Sequence, residues 1–253
     1  MVFTLENLLY SYTKDDRFSL GPLSFTLRSD AITALVGSNG SGKTTLIRVL
    51  LNELINYGGV YTIDSKLVRD INGTVLHDFG IGYAPEDPLL DEQLSGYEIL
   101  CIVKEIHRIK DEIFENSIAQ FRHLFQLESW FDTAPCKEYS QGMRRKVSLM
   151  IAFLSASDYL IIDEPTNGLD PLSVFGIKKL LAQYKEQGKG VLVSSHMLDF
   201  VEKIAADIII LKKGMLVFAG PVKELMECWP GKSLDEIYYH LFTSTGSLAE
   251  RPA

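Results

Sequence analysis

Apolar and polar residues alternate in short runs over the first part of the chain, in "FTLENLLYS" (3–11) and "LSFTLRSDAITALVG" (23–37). A period of two predicts half-buried antiparallel strands, and the largely apolar run Ile32 to Val36 predicts a buried strand after them. That strand stops at a glycine. "GSNGSGKTTLIRVLLNEL" (37–54) then reads as a glycine-rich turn running into a helix with apolar residues at helical spacing. Short strands follow around Gly59 to Ile63 and Gly80 to Ala84. From 88 to 138 glycines become scarce and Leu, Ile, Phe and charged residues recur at helical spacing, which predicts a helical insertion with its clearest helix at Asn116 to Leu127. From Asp158 onward strand and helix patterns alternate: "YLIID", "SVFGIKKLLAQYKEQGKG", "VLVSSH", "MLDFVEKIAA", "DIIILKKG", "MLVFAG". Apolar runs of four or five without alternation suit a parallel sheet buried on both faces. Two helices close the pattern. "GPVKELMECW" places Pro221 at a first helical position, and "SLDEIYYHLF" opens on a capping box of Ser233 and Glu236. Residues 244–253 read as a frayed end.

Composition changes this picture little. With 253 residues, 46% of them hydrophobic, the chain can bury a substantial core. A net charge of -8 argues against a broad nucleic-acid footprint, so nucleic acid is not an expected partner. Cys101, Cys136 and Cys228 are widely spaced, with no CxxC pair, and suit a reducing compartment. The first residues lack a basic segment followed by an apolar one, and no window approaches eighteen uninterrupted apolar residues. If this protein works at a membrane, another chain is expected to cross it.

Candidate chemistry concentrates in a few stretches. Gly37-Ser38-Asn39-Gly40-Ser41-Gly42-Lys43-Thr44 fits G-x-x-x-x-G-K-[ST], placed after a buried strand and opening a helix. Glycines allow close backbone approach to phosphates, free N–H groups form an anion nest, Lys43 reaches terminal phosphates and Thr44 binds magnesium. "YLIIDEP" (159–165) ends a strand with two adjacent carboxylates. These would repel each other unless one holds a cation and the other accepts a proton, which points to Asp163 for the metal and Glu164 for a general base. His196 follows the strand "VLVSS", at the edge where open α/β sheets bind ligands. His77, His107, His123 and His240 read as bystanders. One stretch resists this scheme: "KEYSQGMRRKVSLM" (137–150) places Arg144, Arg145 and Lys146 in a first helical turn, where cations oppose the helix dipole. Either they are simply solvated, or an anion approaches.

In this order the motifs resemble those of the ATP-binding cassette (ABC) ATPases over nearly the whole chain. "GSNGSGKTT", which adds Thr45 to the phosphate loop, is similar to the Walker A motif, "LIIDEP" to Walker B, "NGLD" with Asp170 to the D-loop and "SSH" to the H-loop. Tyr12 falls where the family stacks an aromatic ring on adenine. "YSQGM", with Ser140, Gln141, Gly142 and Met143, falls at the family's signature, usually LSGGQ. The resemblance implies a P-loop NTPase (RecA-like) core with an antiparallel β subdomain (1–87 and 147–220), an inserted α-helical subdomain (88–146) and C-terminal helices (221–243). It also implies ATP and Mg2+ as ligands, with Thr44, Asp163 and Glu86 near the metal and Glu164, His196 and Glu86 at the reaction.

In the family two cassettes face head to tail, so that the signature of one meets the γ-phosphate held by the other. On that reading the cations at 144–146 supply positive potential to an anion arriving in trans. Gln141 and Met143 depart from the usual signature, and Glu86 stands where a glutamine is usual. Subfamilies serving ABC-2-type exporters often show "YLPE" and "YSxGM" at these two places, which "YAPE" and "YSQGM" resemble. The expected protein is thus the separate ATPase subunit of an exporter, peripheral on the cytoplasmic face of a (bacterial inner) membrane, working as a homodimer or with a sister cassette beneath a transmembrane permease. A groove by Leu89, Tyr97 and Glu98 would receive that partner. The alternative is a soluble ABC ATPase acting as an assembly switch, for instance in iron–sulfur cluster biogenesis.

Overall fold

The computed structural model describes residues 1–13, 18–69, 80–156 and 158–243. His77 and residues 244–253 lie outside them. Among the described residues the backbone forms two sheets. The smaller is antiparallel, in the order β2 (Ser19–Leu27), β1 (Phe3–Ser11), β4 (Gly58–Ile63), β5 (Lys66–Leu67). In β1, Phe3, Leu5, Leu8 and Tyr10 are buried and their neighbours mostly face outward, as alternation predicts, with a register shift between Leu5 and Leu8 that explains the break in strict period two.

The larger sheet carries the order β10 (Met215–Pro221), β9 (Asp207–Lys212), β3 (Ile32–Val36), β8 (Gly190–Ser194), β7 (Tyr159–Asp163), β6 (Ile81–Ala84). All its pairings are parallel except β9 with β10. In β3, β7 and β8 every residue is buried, which is why these strands read as unbroken apolar runs. One face packs on α2 (Gly96–Ile106), α3 (Asp111–Phe125), α5 (Gln141–Ser155) and α6 (Pro171–Glu186) around Phe114, Phe125, Leu149 and Ile177. The other face meets the antiparallel sheet and α1 (Lys43–Leu50) through Leu35, Leu46, Ile161 and Phe3. A third cluster joins α7 (Leu198–Ile204), α8 (Val222–Glu227) and α9 (Leu234–Thr243) to β3 and β9. The short helix α4 (Trp130–Thr133) buries Phe131 beside Tyr97.

Two local readings need correction. Pro221 is the last residue of β10 and the N-cap of α8, not its first helical residue. A proline φ suits strand, cap and first turn alike, so its position in the pattern was ambiguous. The helix expected at Asn116 begins at Asp111, where Asp111 and Glu112 occupy the first turn and favour the positive end of the dipole; it ends at Phe125, with Gln126 left-handed at φ 49°. The capping box of α9 forms as expected: Ser233 N–H donates to Glu236 at 2.8 Å and Glu236 N–H to Ser233 Oγ at 3.3 Å.

Helix α5 runs without a break from the signature stretch to the sheet. Val147 packs where a Cβ on Gly96 would intrude, at 2.9 Å, and near the helix's other end the carbonyl of Ala152 approaches the space above Gly82 of β6 to 2.2 Å. That close approach is possible only because position 82 lacks a side chain.

Candidate functional site

The carboxyl ends of β3, β7 and β8 converge on a cavity of about 780 Å3 lined by Tyr12, Phe18, Ser38 to Thr45, Glu86, Asp163, Glu164, Asn167 and His196. At its floor lies the glycine loop. Gly40 and Gly42 adopt φ +76° and +105°, the left-handed region that favours glycine, and a Cβ on Gly37 would meet Ser41 Oγ at 2.3 Å and the Leu211 carbonyl at 2.6 Å. Gly42 N-caps α1 with no side-chain bond, so the first-turn N–H groups are left facing the cavity rather than tied to a capping side chain. Lys43 is buried; its Nζ donates to the Gly37 carbonyl at 2.8 Å and lies 3.8 Å from Glu164 Oε1.

The two carboxylates at the tip of β7 both line the cavity and take different side-chain partners. Asp163 accepts from Thr44 Oγ1 at 3.3 Å and, through its other oxygen, from Ser194 Oγ. Glu164 takes φ +50°, a backbone conformation costly for a side-chain-bearing residue, and its N–H donates to Ser194 Oγ at 3.0 Å. That turn brings the Glu164 carboxylate between Lys43 and His196, whose Nδ1 is 2.8 Å from Glu164 Oε2. An ionised carboxylate only accepts, so this bond needs the imidazole proton on Nδ1.

Among the described residues the lining holds three carboxylates, Glu86, Asp163 and Glu164, against the ammonium of Lys43. No group of three His, Cys, Asp or Glu there could hold a metal alone. The donors still suit magnesium, which takes hard oxygen ligands, keeps several waters and is held by one or two protein groups together with phosphate oxygens. Thr44 and Asp163 would be those groups. Glu86 is exposed and its Oε1 accepts from Asn167 Nδ2 at 3.0 Å. Tyr12 is half exposed, stands edge-on to Tyr10 at 5.1 Å and shares a 3.2 Å hydrogen bond with Thr45 Oγ1.

Ser140, Gln141, Gly142 and Met143 are absent from this lining. Ser140 N-caps α5, its Oγ accepting from Met143 N–H at 3.2 Å. The hydroxyl proton stays available to an acceptor outside the helix. Behind Gly142 the Gly168 carbonyl would meet a Cβ at 2.7 Å, so a residue larger than glycine cannot keep this packing. Asp170 N-caps α6, accepting from Ser173 N–H at 2.8 Å and Ser173 Oγ at 2.7 Å. Those bonds, with Lys146 at 3.2 Å, hold its carboxyl well below the usual range.

Of the cations at 144–146 expected to lend positive potential to an incoming anion, two are engaged within the chain. Arg145 is 1% exposed, donating to the carbonyls of Pro85 and Asp163, while Lys146 donates to the Phe125 carbonyl at 2.9 Å and pairs with Asp170. Both turn inward, because the phase of α5 places Arg145 one turn before Leu149 and two before Ala152, on its buried face. Sequence reasoning also missed Phe18, Asn167 and Ser194. Asn167 lies in the "DEPTNGLD" stretch between two recognised motifs, and Ser194 in "SSH"; each was legible as a neighbour, though not as a hydrogen-bond partner.

A glycine loop at the end of a buried parallel strand, an inward lysine, and paired carboxylates on a nearby strand together define a P-loop nucleotide-binding domain of the α/β class. Comparison with known proteins specifies it further. A family model described as ABC transporter matches residues 20–167. The chain is 32% identical to the uncharacterized ABC transporter ATP-binding protein YthP of Bacillus subtilis (strain 168), over 84% of this chain and 85% of that one. To the ABC-type transporter ATP-binding protein EcsA of the same organism it is 31% identical, over 95% and 96%. A solved structure described as the ATP-binding subunit of an ABC transporter superposes with a TM-score of 0.85 at 28% identity, covering 96% of this chain and all of that one. The chain belongs to the ABC transporter family and is of its ATP-binding type, a domain that binds ATP and is generally an ATPase.

Proposed function

We propose that this chain hydrolyses MgATP as one of two cassettes beneath a separate transmembrane permease, and that the assembly exports its cargo from the cytoplasmic face of the membrane. The observation that carries the hydrolytic reading is Glu164: a buried carboxylate at the cavity wall, held by Lys43 on one oxygen and His196 on the other. Gripped this way, it is oriented to accept the proton of a water attacking the γ-phosphorus, while ADP leaves with the bridging oxygen. His196 fixes the carboxylate and lies on the lining where the γ-phosphate would sit. Lys43 and the α1 N–H groups bind the phosphates, and Tyr12 offers a ring to the base. Bound magnesium would neutralise phosphate charge at Thr44 and Asp163.

Pairing of two cassettes is supported by Ser140 standing outside its own cavity with its hydroxyl proton available, a donor that a second copy's phosphate can use. Membrane association through a partner is supported by Leu89, 96% exposed on the loop after Glu86, and by the described residues containing no helix long and apolar enough to cross a membrane. Of the residues expected at the docking groove, Tyr97 packs against Phe114 and Phe131, and Glu98 closes the capping box of α2 with Ser95. Both are thus engaged within the chain, and of the three Leu89 is the apolar side chain left exposed. Export rests on the exporter-like variants at 83–86 and 139–143.

The test is to tag the protein in its native host, extract membranes in mild detergent and identify what co-purifies. A polytopic permease whose addition changes the ATPase rate is the expected result. Recovery with soluble proteins alone, and none of the chain in membranes, would overturn the transport reading.

A further inference from the structure

We propose that Arg145 is a positioning residue which clamps the signature helix to the Glu86 loop and to the Asp163 strand, and whose charge balances the carboxylate at position 86. The clamp is visible in its two bonds: one guanidinium nitrogen donates to the carbonyl of Pro85, immediately before Glu86, and the other to the carbonyl of Asp163, immediately before Glu164. Neutral donors would also satisfy these carbonyls, more weakly but without the cost of burying a charge. A buried guanidinium is therefore excessive for this task unless its charge has a counterpart, since removing a cation from water is costly.

No carboxylate pairs directly with Arg145 among the described residues, and its Nε lacks a partner. Burial pushes the guanidinium down to about 10, which still leaves it protonated near neutral pH; the nearby carboxylates opposing that fall are Asp163 first, then Glu86, with Glu164 beyond. The cavity lining presents three carboxylates to one ammonium, and Arg145 stands directly behind that wall. Glu164 has the ammonium of Lys43 beside it, whereas Asp163 is met by the hydroxyls of Thr44 and Ser194 and Glu86 by the neutral amide of Asn167. Asp163 and Glu86 are thus the acids on which the hidden cation bears, and Glu86 is the one whose neutralisation leaves the Thr44 and Ser194 bonds of Asp163 in place. The clamp also gives the signature helix a direct hold on both loops that carry the reacting groups.

This inference rests on the ATPase reading, and the experiment separates the two. Four proteins are compared in the full chain: wild type, R145Q, E86Q and R145Q/E86Q, each assayed for ATP turnover, nucleotide affinity and Tm. R145Q is expected to lower kcat about tenfold while nucleotide affinity stays within about threefold, and adding E86Q is expected to restore kcat to within about threefold of wild type, a non-additivity usual for coupled neighbours. Tm should show the same sign of coupling: E86Q is more favourable in the R145Q background than in wild type. R145K, which keeps the charge, should retain more turnover than R145Q. Additive effects in both kcat and Tm would overturn the proposal. Should R145Q fail to fold, recovery of a folded R145Q/E86Q supports it, and failure of both overturns it. A wild-type chain that binds ATP without turning it over would sink the ATPase reading, leaving the Tm cycle to decide the coupling of Arg145 and Glu86.

Discussion

Two helix N-termini in this molecule follow small-residue turns, and they are finished differently. At α1 the cap is Gly42, left-handed and without a side-chain acceptor; at α5 it is Ser140, whose hydroxyl closes on the Met143 N–H at 3.2 Å. The first leaves its N–H groups to an external anion and sits on the floor of a large cavity. The second is chemically complete as a helix start, stands outside the cavity and offers a hydroxyl proton. The contrast teaches that one helix start leaves its backbone donors open to a ligand in its own cavity, while the other satisfies a backbone donor internally and keeps only a hydroxyl proton to offer.

Mutations can break that contrast. The largest effect is expected at Glu164, the base of the proposed hydrolysis: Glu164→Gln should slow hydrolysis roughly 10²- to 10⁴-fold, the range for losing a general base, while nucleotide still binds and the ATP-bound pair accumulates. Steady-state turnover with size-exclusion chromatography checks this, and parental turnover would remove Glu164 as the base. Lys43→Ala should weaken ATP binding by the isolated chain about 10- to 100-fold, as expected for a lost charge-assisted bond, measurable by calorimetry. Ser140→Arg should leave that affinity unchanged yet prevent ATP-dependent dimerisation, and through loss of the cap should cost about 1 kcal/mol of stability in a denaturant titration. Survival of the dimer would place the signature away from the second nucleotide.

The smallest effect is sought at Asp170. Asparagine caps nearly as well as aspartate, so Asp170→Asn should cost only a few tenths of a kcal/mol, reflecting the half-exposed contact with Lys146. Because the native carboxyl is held low, the aspartate's advantage is present above its unfolded value of about 4 and is lost as pH falls below it. The Tm gap between the two proteins should therefore close in acid and in high salt.

Strand positions were read well because burial on both faces writes an unambiguous run: "YLIID" is β7 residue for residue, and Ile32 to Val36 is β3. The glycine loop was equally legible, since its residue types answer to backbone geometry. Arg145 was not. Its charge dominated the reading of "MRRK", although its phase with Leu149 and Ala152 marks a buried position. The left-handed turn at Glu164 left no compositional trace at all, because what enforces it is Ser194, thirty residues further on. Pairings between distant strands are invisible to a local pattern, and here they set the orientation of the Glu164 carboxylate.

The seating of α5 on β6 has a mechanical consequence. With Gly82 bare, the Ala152 backbone rests against the strand like an axle in its bearing, and between that point and Ser140 the helix is held by the bonds of Arg145 to the Pro85 and Asp163 carbonyls, which any tilt must carry along. Twelve residues at about 1.5 Å each make a lever arm of about 18 Å. Tilting it by about 5° would sweep the signature hydroxyl through about 1.6 Å, the difference between a hydrogen bond and none.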